Sequence, residues 1–523
     1  MTPGQGVETQ VVRALGSIGA ATLLSRVLGF ARDVVVARAF GAGPVTDAFF
    51  VAFRIPNVLR RLLAEGALST AIIPVFSEYS VKRSRTDLLR MLRAVFAAAL
   101  LALGVTTVLG VVGAPWILWL VAPGFTADPA QSELAALLTR VMFPYLLLVG
   151  LGALAMGALN SQGRFFASAL GPAVLNLGMI VGVLVLGAHV DPAILSLALG
   201  VLVGGVGQLA VQIPSLHRSS LLVWPSGELR HPALSRVAGL LLPAVFGLAA
   251  VQVMVLVNTL LASLLPPGSI SFLYYADRVM ELPLGVFGIA LASASLPAMS
   301  RQAAAGDTRG LAGTLNFALR LSMYVAVPAT VGLVVLREPI TRLLFERGEF
   351  THGDTVATAQ ALAWYALGLV GFSGSRIAAQ AFYAVGEAGT AVRLGILAVV
   401  ANVLAAVVLM GPLAHAGLAG ASSFGAYVNV AALVLMARRR FGPLGGRALL
   451  GSLARTIAAS VPLGAWCVVA LWTWPAGAGL PLDVGWLALA VVGGFGLFWM
   501  TSALLGAPER RALLGTLPSR EAG

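Results

Sequence analysis

The chain has 523 residues, 59% of them hydrophobic and 11% charged, with a mean hydropathy of +0.92. A soluble chain carries about a quarter charged residues, so this composition excludes an ordinary globular enzyme, a disordered protein and a disulfide scaffold. The net charge of +13, in which Lys82 is the only lysine, fits the cation excess of cytoplasmic loops in a polytopic membrane protein rather than a nucleic-acid surface.

Crossing a bilayer as helix takes roughly 20 apolar residues. Fourteen stretches qualify, at 14–40, 46–79, 91–121, 134–160, 167–188, 192–215, 237–264, 270–300, 314–336, 357–385, 391–411, 416–437, 453–474 and 484–505. The first is interrupted by Arg26 and Arg32 and lacks a small-residue cleavage pattern, so it reads as a retained span and not a signal peptide. Connections after even-numbered spans carry Lys82, Arg83, Arg85, Arg164, Arg218, Arg230, Arg236, Arg301, Arg309 and the run Arg438, Arg439, Arg440. Those near 122–133, 189–191, 265–269, 412–415 and 475–483 contain no Lys or Arg, which places both termini in the cytoplasm. The connection 337–356 mixes Arg337, Arg342 and Arg347 with Glu338, Glu346, Glu349 and Asp354 and is assigned outside as a charge-balanced loop.

The chain also repeats itself. A shift of 223 residues lays Phe49, Ala67, Leu68, Ala71, Pro74 and Ser77 on Phe272, Ala290, Leu291, Ala294, Pro297 and Ser300, and Gly163 on Gly386. A shift of 226 lays Asn176, His189, Ala193 and Ser196 on Asn402, His415, Ala419 and Ser422. Each repeat holds six spans, an even number, so the halves share orientation about an axis along the membrane normal. The expected fold is an all-α polytopic membrane protein of fourteen transmembrane helices, with two six-helix lobes around a central cavity and two extra C-terminal helices. The corresponding divisions are 1–220, 221–440 and 441–523.

Ionisable groups inside spans are expensive and mark protein interiors or watery cavities. They concentrate in span 1 (Arg26, Arg32, Asp33), span 2 (Asp47, Arg54, Arg60, Arg61, Glu65) and span 8 (Asp277, Arg278, Glu281). On a straight helix Arg26 and Arg32 stand about 240° apart, whereas Arg61 and Glu65 are i,i+4 neighbours and Arg278 and Glu281 i,i+3 neighbours. Guanidinium suits phosphate because its planar fork donates two parallel hydrogen bonds and keeps its charge when desolvated. Arg26, Arg32, Arg60 and Arg278 are therefore candidates to line the cavity and hold an anion. The competing reading is internal salt bridges with Asp33, Glu65, Asp277 and Glu281. Prolines such as Pro56, Pro74, Pro283 and Pro297 permit kinks but are also common in static membrane helices, and Gly200 with Gly204 reads as helix packing. The five histidines show no ligand spacing, the single Cys467 cannot form an internal disulfide, and no GxxxxGK[ST] loop is present to bind ATP.

The stretch SRVLGFARDVVVARAFGAGPVTDAFFVAFRIPNVLRRLLAEGALSTAIIPVFSEY over 25–79, with YYADRVMELPLGVFGIAL over 274–291 and GEFT over 348–351, closely resembles the MurJ (MviN) family of bacterial lipid II flippases, within the multidrug, oligosaccharide-lipid and polysaccharide exporter superfamily. The resemblance runs through essentially the whole chain. It implies fourteen spans, an N-lobe of spans 1–6, a C-lobe of spans 7–12, and spans 13–14 forming a hydrophobic groove. It implies movement of undecaprenyl-diphosphate-linked MurNAc-pentapeptide-GlcNAc from the cytoplasmic to the outer leaflet of the bacterial cytoplasmic (inner) membrane. By motif, Arg26 and Arg32 with Asp33 match SRVLGFARD, Asp47 matches TDAFF, Arg60 and Arg61 match NxLRR, Arg278 matches YADR, Glu281 is the acid that follows, and Arg54 keeps a familial cation. Some members bind sodium through acidic residues of spans 7 and 11; those spans contain no Asp or Glu here, and no cofactor or metal is expected. The implied partners are lipid II, membrane lipids and, as a candidate, the cell-wall synthesis machinery, with no nucleic acid. The alternative function is export of another polyprenyl-linked glycan precursor, since a cationic cavity disfavours cationic drugs. A glycosyltransferase or phosphatase would need acidic or metal-binding motifs in substantial outer loops, and a non-transporting scaffold is separable by complementation.

Overall fold

In hydrocarbon a backbone can hydrogen-bond only to itself, and helix is the form in which one segment does so alone. The computed structural model describes residues 3–62, 68–225, 230–474 and 479–514, and among these residues there is helix and no strand. Helix coincides with each of the fourteen predicted spans. Span 1 is α1 (Pro3–Phe40); span 2 is α2 (Pro44–Arg60) with α3 (Leu68–Lys82); span 3 is α4 (Arg85–Val112) running into α5 (Ala114–Val121). Span 4 comprises α6 (Pro129–Met142) and α7 (Tyr145–Ser161), span 5 α8 (Phe166–Ala169) and α9 (Gly171–Val181), and span 6 α10 (Leu195–Ala210) and α11 (Ile213–Arg218). Then follow α12 (Pro232–Ser263) for span 7, α13 (Ser269–Pro283) and α14 (Ile289–Ala304) for span 8, and α15 (Thr308–Val335) for span 9. The charge-balanced connection contains α16 (Arg337–Phe345); span 10 is α17 (His352–Leu367) and α18 (Leu369–Ala384). Spans 11 and 12 form one interrupted helix, α19 (Ala388–Phe441), broken at Ala414 (φ 47°, ψ −129°) two residues after Pro412. Finally α20 (Gly446–Trp472) and α21 (Leu480–Leu504) are spans 13 and 14, and α22 (Pro508–Leu513) follows.

By length and apolarity alone, eight of these segments could cross a membrane, α19 counting once, and nine with the bent pair α17–α18. Among the described residues, spans 1, 2, 7 and 8 supply no such segment; the helices of spans 2 and 8 are each shorter than the 18 residues a crossing needs, and span 7 contributes only the short apolar stretch Gln252–Ser263.

The chain packs as two units, Met1–Ile270 and Ser271–Gly523. In the first, α1 lies on α9, α2 on α6, α3 on α7, and α9 crosses α10 at very short range. A Cβ on Gly178 would stand 2.5 Å from the Gly204 Cα, and one on Gly200 2.8 Å from the Gly178 carbonyl, so these glycines serve the helix contact. The α12 helix packs on α3 through Ala233 and Val237 and through a 2.7 Å Arg236–Glu78 ion pair. By packing, span 7 thus sits in the first unit, whereas by repeat it opens the second half. In the second unit α15 packs on α18 and α20, and α20 on α21, around Tyr324, Leu463, Cys467 and Phe498.

The repeat is visible in the backbone. Gly163 and Gly386, related by the 223 shift, end spans 4 and 10 with φ of +71° and +76°, a conformation that costs other residues. The same shift carries Arg61, where span 2 widens into a π-helical turn, onto Leu284, where the π-helical stretch Leu284–Gly288 opens in span 8.

Candidate functional site

Span 1 places its two arginines in different surroundings, as their angular separation requires. Gly29 lets α9 come close: a Cβ there would lie 3.3 Å from the Asn176 Nδ2. Beside that contact Arg32 is buried, its Nε donating to Asp33 Oδ1 at 2.9 Å, its Nη2 to the same oxygen, and its Nη1 to Asn176 Oδ1 at 3.0 Å. Asn176 Nδ2 in turn donates to the Ser25 carbonyl at 3.2 Å. Enclosing a guanidinium is tolerable only when charge and hydrogen bonds compensate, and Asp33 and Asn176 do both. For Arg32 the observed geometry is therefore the internal ion pair, not a side chain open to solvent. Arg26, by contrast, is exposed and makes no hydrogen bond or ion pair among the described residues.

Span 2 uses its charges as fasteners within the first unit. Asp47 is buried in the first turn of α2, and its Oδ2 accepts the Gly268 N–H at 2.6 Å, immediately before α13. Arg54 Nη1 donates to Thr259 Oγ1 of α12 at 2.6 Å, and Arg60 Nε to Asn57 Oδ1 at 2.9 Å. Arg61 is exposed on the widened turn; its predicted partner Glu65 lies outside the described residues.

In the second unit span 8 holds Arg278 half-buried. Its Nη1 donates to Glu281 Oε2 at 2.8 Å, its Nη2 to the Tyr274 hydroxyl at 3.2 Å, and its guanidinium carbon stands 5.4 Å from the Tyr274 ring centroid. Tyr275 is buried, with ring centroids 5.0 Å from Phe345 and 5.5 Å from Phe350, so the GEFT loop fixes this stretch of helix. Pro283 and the wide turn Leu284–Gly288 follow directly, leaving Arg278 and Glu281 on the last regular turns before the distortion.

Asn176 was not among the charged candidates, although its recurrence as Asn402 was the available signal. In the second unit Asn402 Nδ2 donates to Ser422 Oγ at 3.3 Å and its Oδ1 is buried without a partner. An amide and a hydroxyl, with no carboxylate in spans 7 or 11, do not supply the acidic donor set that a sodium site in those spans would use.

Comparison with known proteins covers nearly the whole chain. The family model described as "Lipid II flippase MurJ" matches residues 36–478. The chain is 35% identical over 514 residues to "Lipid II flippase MurJ" of Burkholderia cenocepacia, covering 96% of this chain and 99% of that protein. It is 39% identical over 427 residues to "Probable lipid II flippase MurJ" of Vibrio cholerae, covering 80% and 81%. Among solved structures, one titled "Lipid II flippase MurJ, inward closed conformation" superposes with a TM-score of 0.79 at 24% identity over 95% of this chain and 99% of that one. An inward-facing multidrug resistance MATE family transporter of the MOP superfamily superposes with a TM-score of 0.65 at 16% identity, over 83% and 99%. The two structures establish the shared fold.

Proposed function

The chain belongs to the MurJ family of lipid II flippases, and from that premise we propose that it carries lipid II from the cytoplasmic to the outer leaflet by alternating access, gripping the diphosphate with arginines of spans 1, 2 and 8. The task is to pass a doubly anionic, sugar-bearing headgroup through hydrocarbon while its polyprenyl tail remains in the bilayer. An unsolvated diphosphate costs many kcal/mol there, so the chain must offer cationic, hydrated contacts to one leaflet at a time.

Arg26 is the first contact: it is exposed and has no partner among the described residues to surrender. Arg278 follows, with the diphosphate competing against Glu281 for its guanidinium, while Arg60 and Arg61 add cations at the widened turn of span 2. Arg32, Asp33 and Asn176 act as a positioning group that holds span 1 against α9. Asp47 and Arg54 fasten span 2 to the end and body of span 7. The chain works in the cytoplasmic membrane with both termini inside, and its product is the substrate of outer-face cell-wall synthesis enzymes, the partners it would meet there. The sequence has no ATP-binding loop, which favours membrane potential over ATP as the driving force; that potential is worth roughly 2.3 kcal/mol per charge per 100 mV.

The contrast on one helix between Arg26, exposed and without a partner among the described residues, and Arg32, buried on Asp33 and Asn176, carries this reading of the site. Purified chain in liposomes loaded with lipid II on one leaflet tests it. Wild type and Arg32→Lys should move lipid II, and Arg26→Ala should not, at equal reconstitution. Movement of a different polyprenyl-diphosphate glycan in place of lipid II would favour the alternative exporter, and unimpaired Arg26→Ala would remove the assigned contact.

A further inference from the structure

The α6 segment of span 4 carries an exposed arginine, Arg140. On α6 the residues facing α2, α4 and α10 are covered, and the stripe Glu133, Leu137 and Arg140 is exposed on the opposite side. Neither Glu133 nor Arg140 makes an ion pair or hydrogen bond among the described residues. The stripe and Pro115 of α5 border a cleft of ≈ 650 Å³. Trp116 and Trp119, which follow Pro115 on α5, are exposed, and tryptophan is a side chain that settles at membrane interfaces. The preceding connection, 122–133, has no Lys or Arg and is the outer one by the charge rule.

An arginine well inside a span, with no protein partner, is expensive unless something else neutralises it. From this geometry we infer that the cleft between α5 and α6 binds the headgroup of an outer-leaflet aminophospholipid, with the phosphate on Arg140 and the primary ammonium on Glu133. Charge order selects this occupant. Glu133 lies two turns nearer the outer surface than Arg140, about 10 Å along the helix axis, and both long side chains can lean toward the gap. A phosphoethanolamine headgroup has the same order, phosphate deeper and ammonium further out. A purely anionic headgroup would gain Arg140 but meet Glu133 as a like charge, and a choline headgroup has no N–H to donate to the carboxylate. The acyl chains would then run down the apolar surface at Leu137. The site is separate from the diphosphate-binding arginines and its test does not depend on transport.

The experiment is native mass spectrometry of the purified full chain, titrated with phosphatidylethanolamine, phosphatidylglycerol and phosphatidylcholine of identical acyl chains. Wild type should retain phosphatidylethanolamine above the other two. Arg140→Ala should lower its retention about fivefold, the factor expected for one exposed ion pair worth about 1 kcal/mol. Arg140→Lys should recover most of it, and Glu133→Gln should erase the preference over phosphatidylglycerol. Equal retention by wild type and Arg140→Ala, or phosphatidylglycerol held by wild type at least as well as phosphatidylethanolamine, would overturn the site. Should Arg140→Ala not fold, the Arg140→Lys and Glu133→Gln comparisons decide by the same preference.

Discussion

Two arginines six residues apart on α1 should respond to mutation in opposite ways. Arg32 neutralises buried Asp33, so Arg32→Ala strands a carboxylate and should cost about 3–5 kcal/mol of stability, read as a large drop in thermal midpoint in detergent. The double replacement Arg32→Ala with Asp33→Ala should cost less than the single one, since no charge is left behind. Asn176→Ala removes the acceptor for Arg32 Nη1 and the donor to Ser25, a loss of about 1–3 kcal/mol. Arg26→Ala touches nothing comparable and should stay within about 0.5 kcal/mol of wild type while abolishing lipid II movement. Equal destabilisation at 26 and 32 would contradict these assignments. At Asp47, Ala should cost about 1.5–3 kcal/mol by freeing the Gly268 N–H, and Asn, which keeps an acceptor, should recover part of it.

At the scale of elements, the glycine pair that ends spans 4 and 10 offers a clean test of the duplication. A Cβ on Gly163 or Gly386 meets nothing within 4 Å, so replacement by Ala carries only the backbone penalty of a left-handed residue, about 1–2 kcal/mol, and should be alike at both. Gly395, inside α19 with equally open space, should instead gain up to about 1 kcal/mol as Ala. Thermal midpoints of the three variants check the contrast; unequal losses at 163 and 386 would mean the turns are not equivalent. These turns were legible because a fixed offset paired Gly with Gly. That Arg26 and Arg32 do not share one helix face was legible from helical angle; which of the two is buried in an ion pair was not. The widened turns after Arg60 and Pro283 were not, because a π-helical turn depends on how the backbone packs and leaves no residue pattern of its own. Nor was the Asp47 to Gly268 bond, which joins positions 221 residues apart.

Over the whole molecule, hydropathy was enough to place helix in all fourteen spans, but helix length and apolarity undercount crossings where a span is broken into short helices, as in spans 2 and 8. The repeat divides the chain by ancestry, before span 7; packing divides it after residue 270, because α12 buries Ala233 and Val237 against α3 and ties Arg236 to Glu78. A sequence offset records descent and carries no information about which neighbour a helix later packs on. Which charges sit in ion pairs was equally hidden, since Arg32 and Arg26 are the same residue type in one motif and are separated by Arg32's pairing with Asp33 and its tertiary contact with Asn176. The central claim is that this chain delivers lipid II to the outer face of the membrane with Arg26 and Arg278 as its contacts to the diphosphate. The direct measurement is the fraction of lipid II accessible to an impermeant probe in bacteria depleted of their own flippase and expressing this chain. Wild type should restore outer-face lipid II, and Arg26→Ala and Arg278→Ala should leave it inside at equal membrane abundance; failure of wild type, or full restoration by both variants, would contradict the account.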